Sequence, residues 1–172
     1  MKMKLTFAIV AALAFGQIQA HGDEDHSKMA GMTSGRDVSK AVLNVAVNAA
    51  APVAVVERFS AALAAGDLAK VAAELDANVV ILESGGAERS SAQYLAGHAK
   101  SDATFLKTAH IMLKNRTAVA GNDMAWVASE SEIHVMNKDK MLAILSTETM
   151  VLKKVGAAWK IAHIHWSSKA KK

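Results

Sequence analysis

The pattern of apolar residues predicts helices in the middle of the chain and strands toward its end. A stripe of apolar residues with helical spacing follows Pro52, a favourable first residue for a helix. Gly66 is placed to end this helix, and Asp67 can cap a second, shorter helix that ends near Leu75. Both helices are expected to cover one side of a common core. The residues of the first stripe are Val55, Val56, Phe59 and Leu63.

A short strand and a bent helix are predicted next. The β-branched run 78–83 is typical of a strand and is followed by a turn at Gly85 and Gly86. Ser90 can cap the helical stretch after it, which should break or bend near Gly97. Four strand-like runs complete the chain, and their short connections make neighbouring runs antiparallel. These runs are 109–120, 124–136, 141–155 and 159–167.

The first 20 residues have the pattern of a cleavable secretory signal peptide. Lys2 and Lys4 precede an uncharged apolar stretch at 5–15, and the segment ends on the small residue Ala20. That stretch is shorter than the about 20 residues of a membrane-spanning helix. We therefore expect cleavage and export, with no stable membrane anchor afterwards; the alternative is an uncleaved N-terminal anchor.

The mature chain is predicted to have three parts. Residues 21–51 are polar or lack a clean period, which is typical of a disordered leader and linker. Residues 52–168 carry the periodic elements and are long enough for one hydrophobic core. Residues 169–172 form a basic tail.

The composition excludes several classes of site and partner. The chain has no cysteine, which rules out thiolate chemistry and thiolate metal sites. The formal net charge of +4 falls by two when Lys2 and Lys4 leave with the signal peptide. No basic stripe with interleaved aromatic residues is present, so nucleic acid is not an expected partner.

Three local sequences resemble the nuclear transport factor 2-like superfamily, in particular its SnoaL-like branch. They are VERF with AAGD at 56–67, VILESGG at 80–86 and GAAWKIAHIHWS at 156–167. The resemblance implies an α+β, cone-shaped fold in which N-terminal helices pack on a curved, mainly antiparallel sheet and enclose a pocket. It also implies a homodimer. The superfamily includes ketosteroid isomerase, scytalone dehydratase, polyketide cyclases and non-catalytic association domains, so the pocket's side chains must decide the activity.

The first candidate site is formed by Tyr94, His98 and Asp102. Their spacing of four puts the three side chains on one helical face, provided that the helix continues through Gly97. An aspartate beside a histidine can fix its tautomer and raise its basicity, and the phenol can bind a substrate oxygen. The alternative is a solvated helical face with a weak ion pair.

The second candidate site lies on the last predicted strand. Alternation places His163 and His165 on one face with Trp159 and Ile161, which we expect to face the pocket because Lys160 occupies the other face. The two histidines can carry protons or bind one metal ion, and the alternative is a pair of hydrogen-bonded core histidines. Carboxylates on neighbouring strands could complete either arrangement: Glu130, Glu132 and Glu148.

Glu83 is a third candidate because it ends the apolar strand. Burial in an apolar pocket raises the pKa of a carboxyl group and makes it a general acid or base near neutral pH. The alternative is a structural hydrogen bond. Glu88 can help to cap the following helix. His110 and His134 are lesser candidates for the pocket wall.

Cleavage after Ala20 would create a candidate metal site at the new N-terminus. The free amine and imidazole of His21 would chelate copper or zinc, with His26 as a further donor and Met29 and Met32 suited to Cu(I). The alternative is a flexible hydrophilic leader.

These patterns favour an exported domain, bacterial and periplasmic or secreted, that binds a small apolar organic ligand. Any catalysis would be proton transfer of the isomerase, dehydratase or cyclase kind without an organic cofactor, with His98 or the His163 and His165 pair as base and Glu83 or Asp102 as partner. One alternative is a non-catalytic ligand-binding or dimerisation module. The other is a periplasmic protein that binds copper or zinc.

Overall fold

The structure, a computed structural model, describes residues 34–137 and 140–172. The N-terminal part of this region contains two short strands, a single 3-10 turn and two helices: β1 (Gly35–Asp37), β2 (Val42–Val45), the turn Val47–Ala49, α1 (Ala50–Ala65) and α2 (Leu68–Glu74). Two strands and a broken helix follow: β3 (Leu75–Glu83), β4 (Gly86–Glu88), α3 (Ser91–Ala96) and α4 (His98–Leu106). Four long strands complete the fold: β5 (His110–Ala120), β6 (Met124–Asn137), β7 (Lys140–Val155) and β8 (Ala158–Ala170).

Local chemistry explains the helix boundaries. Gly66 ends α1 in the left-handed conformation with φ of 73°, which glycine adopts without steric cost. The side chain of Asp67 accepts a hydrogen bond from the backbone N–H of Lys70 and so caps α2. Ser90 caps α3 in the same way, and the helix breaks at Gly97 before α4 begins. Each of these boundaries agrees with the sequence pattern.

All strands belong to one sheet with the order β1-β5-β6-β7-β8-β3-β4, and β2 also pairs with β5. The strands β5, β6, β7 and β8 are antiparallel neighbours, as predicted. β3 joins β8 in parallel and β4 returns against β3. The helices pack on one face, where apolar side chains from α1 and the sheet form a continuous core. This is the predicted α+β architecture of helices on a curved, mainly antiparallel sheet.

The segment 34–49, which falls within the predicted leader and linker, differs from that prediction. β1 and β2 both run parallel to the edge strand β5 and hydrogen-bond to it. Most of their side chains are exposed, so the pattern of apolar residues gave no sign of them. Pairing with an unpartnered sheet edge satisfies backbone groups without requiring a buried side chain.

The apolar character of α1 follows from its place in the core. Val47–Ala65 has the length and hydropathy of a membrane-crossing segment, and no other helix described at 34–137 or 140–172 does. In the fold, Val56 and Phe59 on this helix are almost fully buried against the sheet. Burial in the core therefore accounts for part of the composition, since 39% of the apolar stretch is buried.

A β-bulge at Ala162 divides β8 into two halves. Neighbouring residues of β7 pair with Ile161 and His163, which leaves Ala162 as an extra residue. Ile161 before the bulge and Ile164 after it are both fully buried. The bulge therefore exchanges the two faces of the strand, and residues beyond it point opposite to what simple alternation predicts.

Candidate functional site

A cavity of about 550 Å³ lies between the helices and the inner face of the sheet. Its walls come from α1, the end of α4, β1, the end of β3 and the strands β5 to β8. Phe59 and Leu63 of α1 face Ile111 and Ile133 across it, so much of the lining is apolar. A cavity of this size and character suits a small organic molecule.

One polar row crosses the inner face of five neighbouring strands. Strand register places its members directly side by side. In order from β5 to β3 they are Arg116, Ser129, Glu148, Trp166 and Glu83. All except Arg116 line the cavity, and the two side chains that hold Arg116 line it as well.

Two further rows on the inner face of the sheet also line the cavity and carry no charged side chain on β5 to β8. The next row contains Ser131, Ser146 and Ser168 on three neighbouring strands, where small side chains leave space. The row beyond it contains Ile111, Ile133 and Ile144. On the far side of the polar row, Val127, Met150 and Ile164 fill the core completely. The cavity is therefore charged beside the closed core and apolar away from it.

Glu83 belongs to a second buried group centred on His98. His98 Nδ1 is 2.9 Å from Glu88 Oε1, while Nε2 lies 3.3 Å from Asp102 Oδ1 and 3.5 Å from Glu83 Oε2. The hydroxyl of Tyr94 donates a hydrogen bond of 2.7 Å to Asp102 Oδ2. One imidazole thus contacts three carboxylates. We call these four residues the acid cluster: Glu83, Glu88, His98 and Asp102.

Burial changes the proton affinities in the acid cluster. Desolvation, with the charge of Asp102 as a second cause, raises the pKa of Glu83 to about 7. Desolvation also raises the pKa of Asp102 to about 6, against the opposing effects of His98 and the Tyr94 hydrogen bond. The pKa of Tyr94 is raised by burial and by Asp102. Near neutral pH, Glu83 can therefore both take up and release a proton.

Of the acid cluster, only Glu83 lines the cavity. Its Oε2 has no hydrogen-bond partner within the described part of the chain. His98 and Asp102 lie behind it, and Tyr94, predicted to bind substrate, is fully buried with its hydroxyl on Asp102. Glu83 is the group of this cluster that a ligand would touch.

The other predicted histidines lie away from the cavity. Because of the bulge at Ala162, His163 and His165 lie on the outer face of the sheet; His163 Nδ1 is 2.8 Å from the carbonyl of Val80, and His165 is exposed. His110 precedes the cavity-lining Ile111 and also belongs to the outer face. This placement differs from the predicted alternation.

Trp159 also lies outside the cavity. Trp159 borders a separate hollow with Arg58 and Glu74, and Lys154 Nζ stands 5.4 Å from its ring centroid. No group of three or more histidine, aspartate or glutamate side chains in residues 34–137 and 140–172 is arranged to hold a metal ion. His21 and His26 fall outside the described residues.

Glu132 forms a second carboxylate–histidine cluster on the outer face of the sheet. Its Oε1 accepts a hydrogen bond of 2.8 Å from Lys171 and is 2.7 Å from His134 Nε2, while Lys114 lies 3.8 Å from Oε2. We call these four residues the outer cluster. The hydrogen bonds from Lys171 and then His134 lower the pKa of Glu132 to about 2. Glu130 is exposed on the same face, whereas Glu148 faces the cavity.

Arg116 is the functional candidate that the sequence pattern did not identify. The residue is 1% exposed; its Nε donates to Ser129 and its Nη1 donates to Glu57 at 2.9 Å. Its position in β5 follows a register shift between Leu113 and Asn115, so simple alternation gives no firm direction for it. An arginine in the middle of the predicted strand 109–120 was the available signal.

Comparison with known proteins identifies the family. A model of the SnoaL-like domain matches residues 53–171. The chain belongs to the SnoaL-like family. This confirms the resemblance carried by the three local sequences. The comparison with curated proteins gave no significant match.

Solved structures support the same fold for this SnoaL-like domain. One is a protein of Shewanella frigidimarina provisionally named a ketosteroid isomerase, with 36% identity, a TM-score of 0.66 and coverage of 72% of this chain and 99% of that one. The CaMKII hub of S. rosetta is 21% identical, with a TM-score of 0.57 and coverage of 69% and 95%. An NTF2-like protein with a cystatin-like fold from Novosphingobium aromaticivorans is 12% identical, with a TM-score of 0.55 and coverage of 66% and 76%. The last two show similarity of fold alone.

Proposed function

We propose that this SnoaL-like domain is exported and binds a small, largely apolar organic molecule, on which Glu83 transfers a proton. The observation that carries the proposal is the position of Glu83: its carboxylate lines the cavity, makes no hydrogen bond through Oε2, and has a pKa of about 7. The Shewanella relative named a ketosteroid isomerase adds support, since that name denotes proton transfer on an apolar ketone.

The proposed reaction needs only the side chains of the cavity. Ionised Glu83 takes a proton from a carbon next to a carbonyl group, the C–H electron pair forms a carbon–carbon double bond while the C=O π pair moves onto the oxygen, and protonated Glu83 returns the proton to the same or a conjugated carbon as the carbonyl reforms. His98 holds Glu83 in place and is itself fixed by Glu88 and Asp102. No organic cofactor takes part in this scheme.

Deuterium exchange in heavy water tests the proposal without a known substrate. β-Tetralone is a bicyclic, apolar ketone with acidic C–H groups beside its carbonyl. We expect the domain to accelerate exchange of those protons, followed by NMR, with a rate that rises with pH through about 7. Glu83→Gln should lower the protein-dependent rate about a hundredfold, because general-base catalysis contributes at least that much.

Glu130→Gln is the matched control, because it makes the same chemical change on an exposed glutamate of the outer face. It should leave the exchange rate within about twofold of the original. An equal protein-dependent rate with and without the Glu83 carboxylate, or no exchange above buffer in any variant, would remove Glu83 as the base.

The proposal includes location and assembly. The signal-peptide pattern of 1–20 supports export, with the bacterial periplasm as the location. Solved structures of the same fold include association and hub domains, which supports a homodimer of this chain. The outer face of the sheet, where Trp126 and Leu145 are exposed, is the surface available for it.

A further inference from the structure

Besides Glu83 Oε2, the polar row of the cavity contains two buried atoms that make no hydrogen bond, one donor and one acceptor. Arg116 uses Nε and Nη1 on Ser129 and Glu57, while Nη2 bonds to no atom of the described residues. Glu148 accepts a hydrogen bond of 2.9 Å from the indole of Trp166 through Oε2, while Oε1 has no partner among those residues. Buried charged groups are nearly always satisfied, so both atoms point to a missing bonding group.

The two unpartnered atoms belong to one region of the cavity wall. Arg116 and Glu148 lie on β5 and β7, on either side of Ser129 in the same row. The pKa of Arg116 is lowered by burial and then by the charge of Arg36, against the opposing charges of Glu148 and Glu57. Glu148 and Ser129 both line the cavity, and Arg116, which does not, hydrogen-bonds to Ser129. A single ligand group at this point could therefore meet both.

The charges around this region define what that group can be. It must accept a hydrogen bond from Arg116 and donate one to Glu148, which a hydroxyl group does with one oxygen atom. A carboxylate head would gain Arg116, and Arg36 on the cavity wall, but would face the three carboxylates of Glu57, Glu83 and Glu148 around the same cavity. An ammonium head would bring a positive charge against the guanidinium. A neutral hydroxyl is free of both repulsions.

From this geometry we infer that the cavity selects a neutral, hydroxyl-bearing molecule with an apolar body, and that Arg116 and Glu148 bind its hydroxyl group. The apolar body would extend over the serine row toward the isoleucine row, where Ile133 and Phe105 form the wall. The inference rests on the proposed function, since it names the class of ligand that occupies the same cavity. It assigns no part of the proton transfer to Arg116 or Glu148.

Calorimetric titration with three molecules of one skeleton tests the inference. β-Naphthol, naphthalene and β-naphthoate share a bicyclic apolar body and differ only in the head group. We expect β-naphthol to bind at least about tenfold more tightly than naphthalene, and β-naphthoate to bind more weakly than β-naphthol. In Glu148→Gln the β-naphthol affinity should fall at least about fivefold, while the naphthalene affinity stays within about twofold.

Glu130→Gln again serves as the matched control and should leave all three affinities unchanged. Unchanged naphthalene binding by Glu148→Gln also shows that the variant keeps a folded cavity. Equal affinity of β-naphthol and naphthalene, or tightest binding of β-naphthoate, would overturn the inference while leaving the cavity and the role of Glu83 intact. Failure of all three molecules to bind would overturn it together with the proposed apolar pocket.

The two proposals fail in different measurements. Titrations with Glu83→Gln should keep the preference for β-naphthol, because the base is not part of the hydroxyl site. Loss of proton exchange in that variant with the preference retained is the expected combination. A preference that disappears in Glu83→Gln but survives in Glu148→Gln would assign the hydroxyl to Glu83 and overturn the inference.

Discussion

Two carboxylate–histidine clusters occupy opposite faces of the same sheet and have opposite electrostatics. In the acid cluster, His98 contacts Glu83 and two further carboxylates, and no lysine or arginine is among its ion-pair partners in the described residues. In the outer cluster, Glu132 pairs with His134 and two lysines. The pKa of Glu83 is raised to about 7, whereas that of Glu132 is lowered to about 2.

The comparison shows that desolvation and charged partners together indicate the role of a carboxylate: desolvation is the first cause of the raised pKa of Glu83, and hydrogen bonds from Lys171 and His134 are the first causes of the lowered pKa of Glu132. Both side chains are largely buried, at 7% exposed for Glu83 and 9% for Glu132. Glu132 stays ionised because two lysines and His134 pair with it, and its bond to Lys171 connects β6 to the C-terminal end of the chain. Glu83 has no lysine or arginine partner among the described residues, makes no hydrogen bond through Oε2 and lines a cavity. This is the pattern of a functional carboxylate.

The largest expected effect is the pH dependence of stability that Glu83 causes. Its folded pKa of about 7 lies above the ordinary value of 4.5, so between the two the folded protein holds a proton that the unfolded chain has lost. Stability must therefore fall as pH rises from about 5 to 8, by up to about 3 kcal/mol from this group. Urea unfolding across that range should show the decline, and Glu83→Gln should flatten most of it.

Asp102, whose pKa is also raised, leaves a smaller decline of the same sign in that variant. Glu130→Gln changes an exposed carboxylate and should reproduce the original slope. An unaltered slope in Glu83→Gln would mean that Glu83 titrates normally and that the contrast between the two faces is wrong.

A smaller effect is expected from Tyr94→Phe. The substitution keeps the ring and removes only the hydroxyl that donates to buried Asp102. Loss of a hydrogen bond to a buried carboxylate costs about 2 kcal/mol of unfolding free energy at neutral pH. The loss should shrink below about pH 5, where Asp102 is protonated in either variant. Equal stabilities of the two proteins at pH 7 would show that Asp102 does not depend on this bond.

The smallest effect is expected in the outer cluster and has the opposite sign to that of Glu83. Glu132→Gln should destabilise the protein by about 1 kcal/mol at pH 7, a value reduced for the solvent around its half-exposed lysines. Because the folded pKa of Glu132 is lowered, its contribution is complete above pH 4.5 and is lost as pH falls through about 2.

Lys171→Met is the partner variant in a double-mutant cycle with Glu132→Gln, followed by thermal or urea unfolding. A coupling of about 0.5 kcal/mol would confirm the direct pair, and it should fade in acid. A stabilising effect of Glu132→Gln at neutral pH would instead place Glu132 with Glu83 and end the contrast.

Much of the acid cluster could be predicted from the sequence. The spacing of Tyr94, His98 and Asp102 brought them together although the helix breaks at Gly97, because α3 and α4 continue in close contact. The addition of Glu83 and Glu88 to the group depended on β3 and β4 passing beside these helices. The spacing of residues within one helix or strand does not predict these contacts between His98 and the two strands.

Although it did not predict the short strands β1 and β2, the sequence pattern was sufficient for the order of the helices and of β3 and β5 to β8, for their caps and turns, and for the family. These depend on interactions between residues close together in the chain, such as Ser90 with Gln93 or the apolar stripe of α1. Only the tertiary structure decided which side chains reach the cavity. One extra residue at Ala162 turned His163 and His165 outward and Trp166 inward, and strand pairing aligned Arg116 with Glu148 and Glu83. Register and burial arise from contacts distant in sequence, and periodicity alone does not carry them.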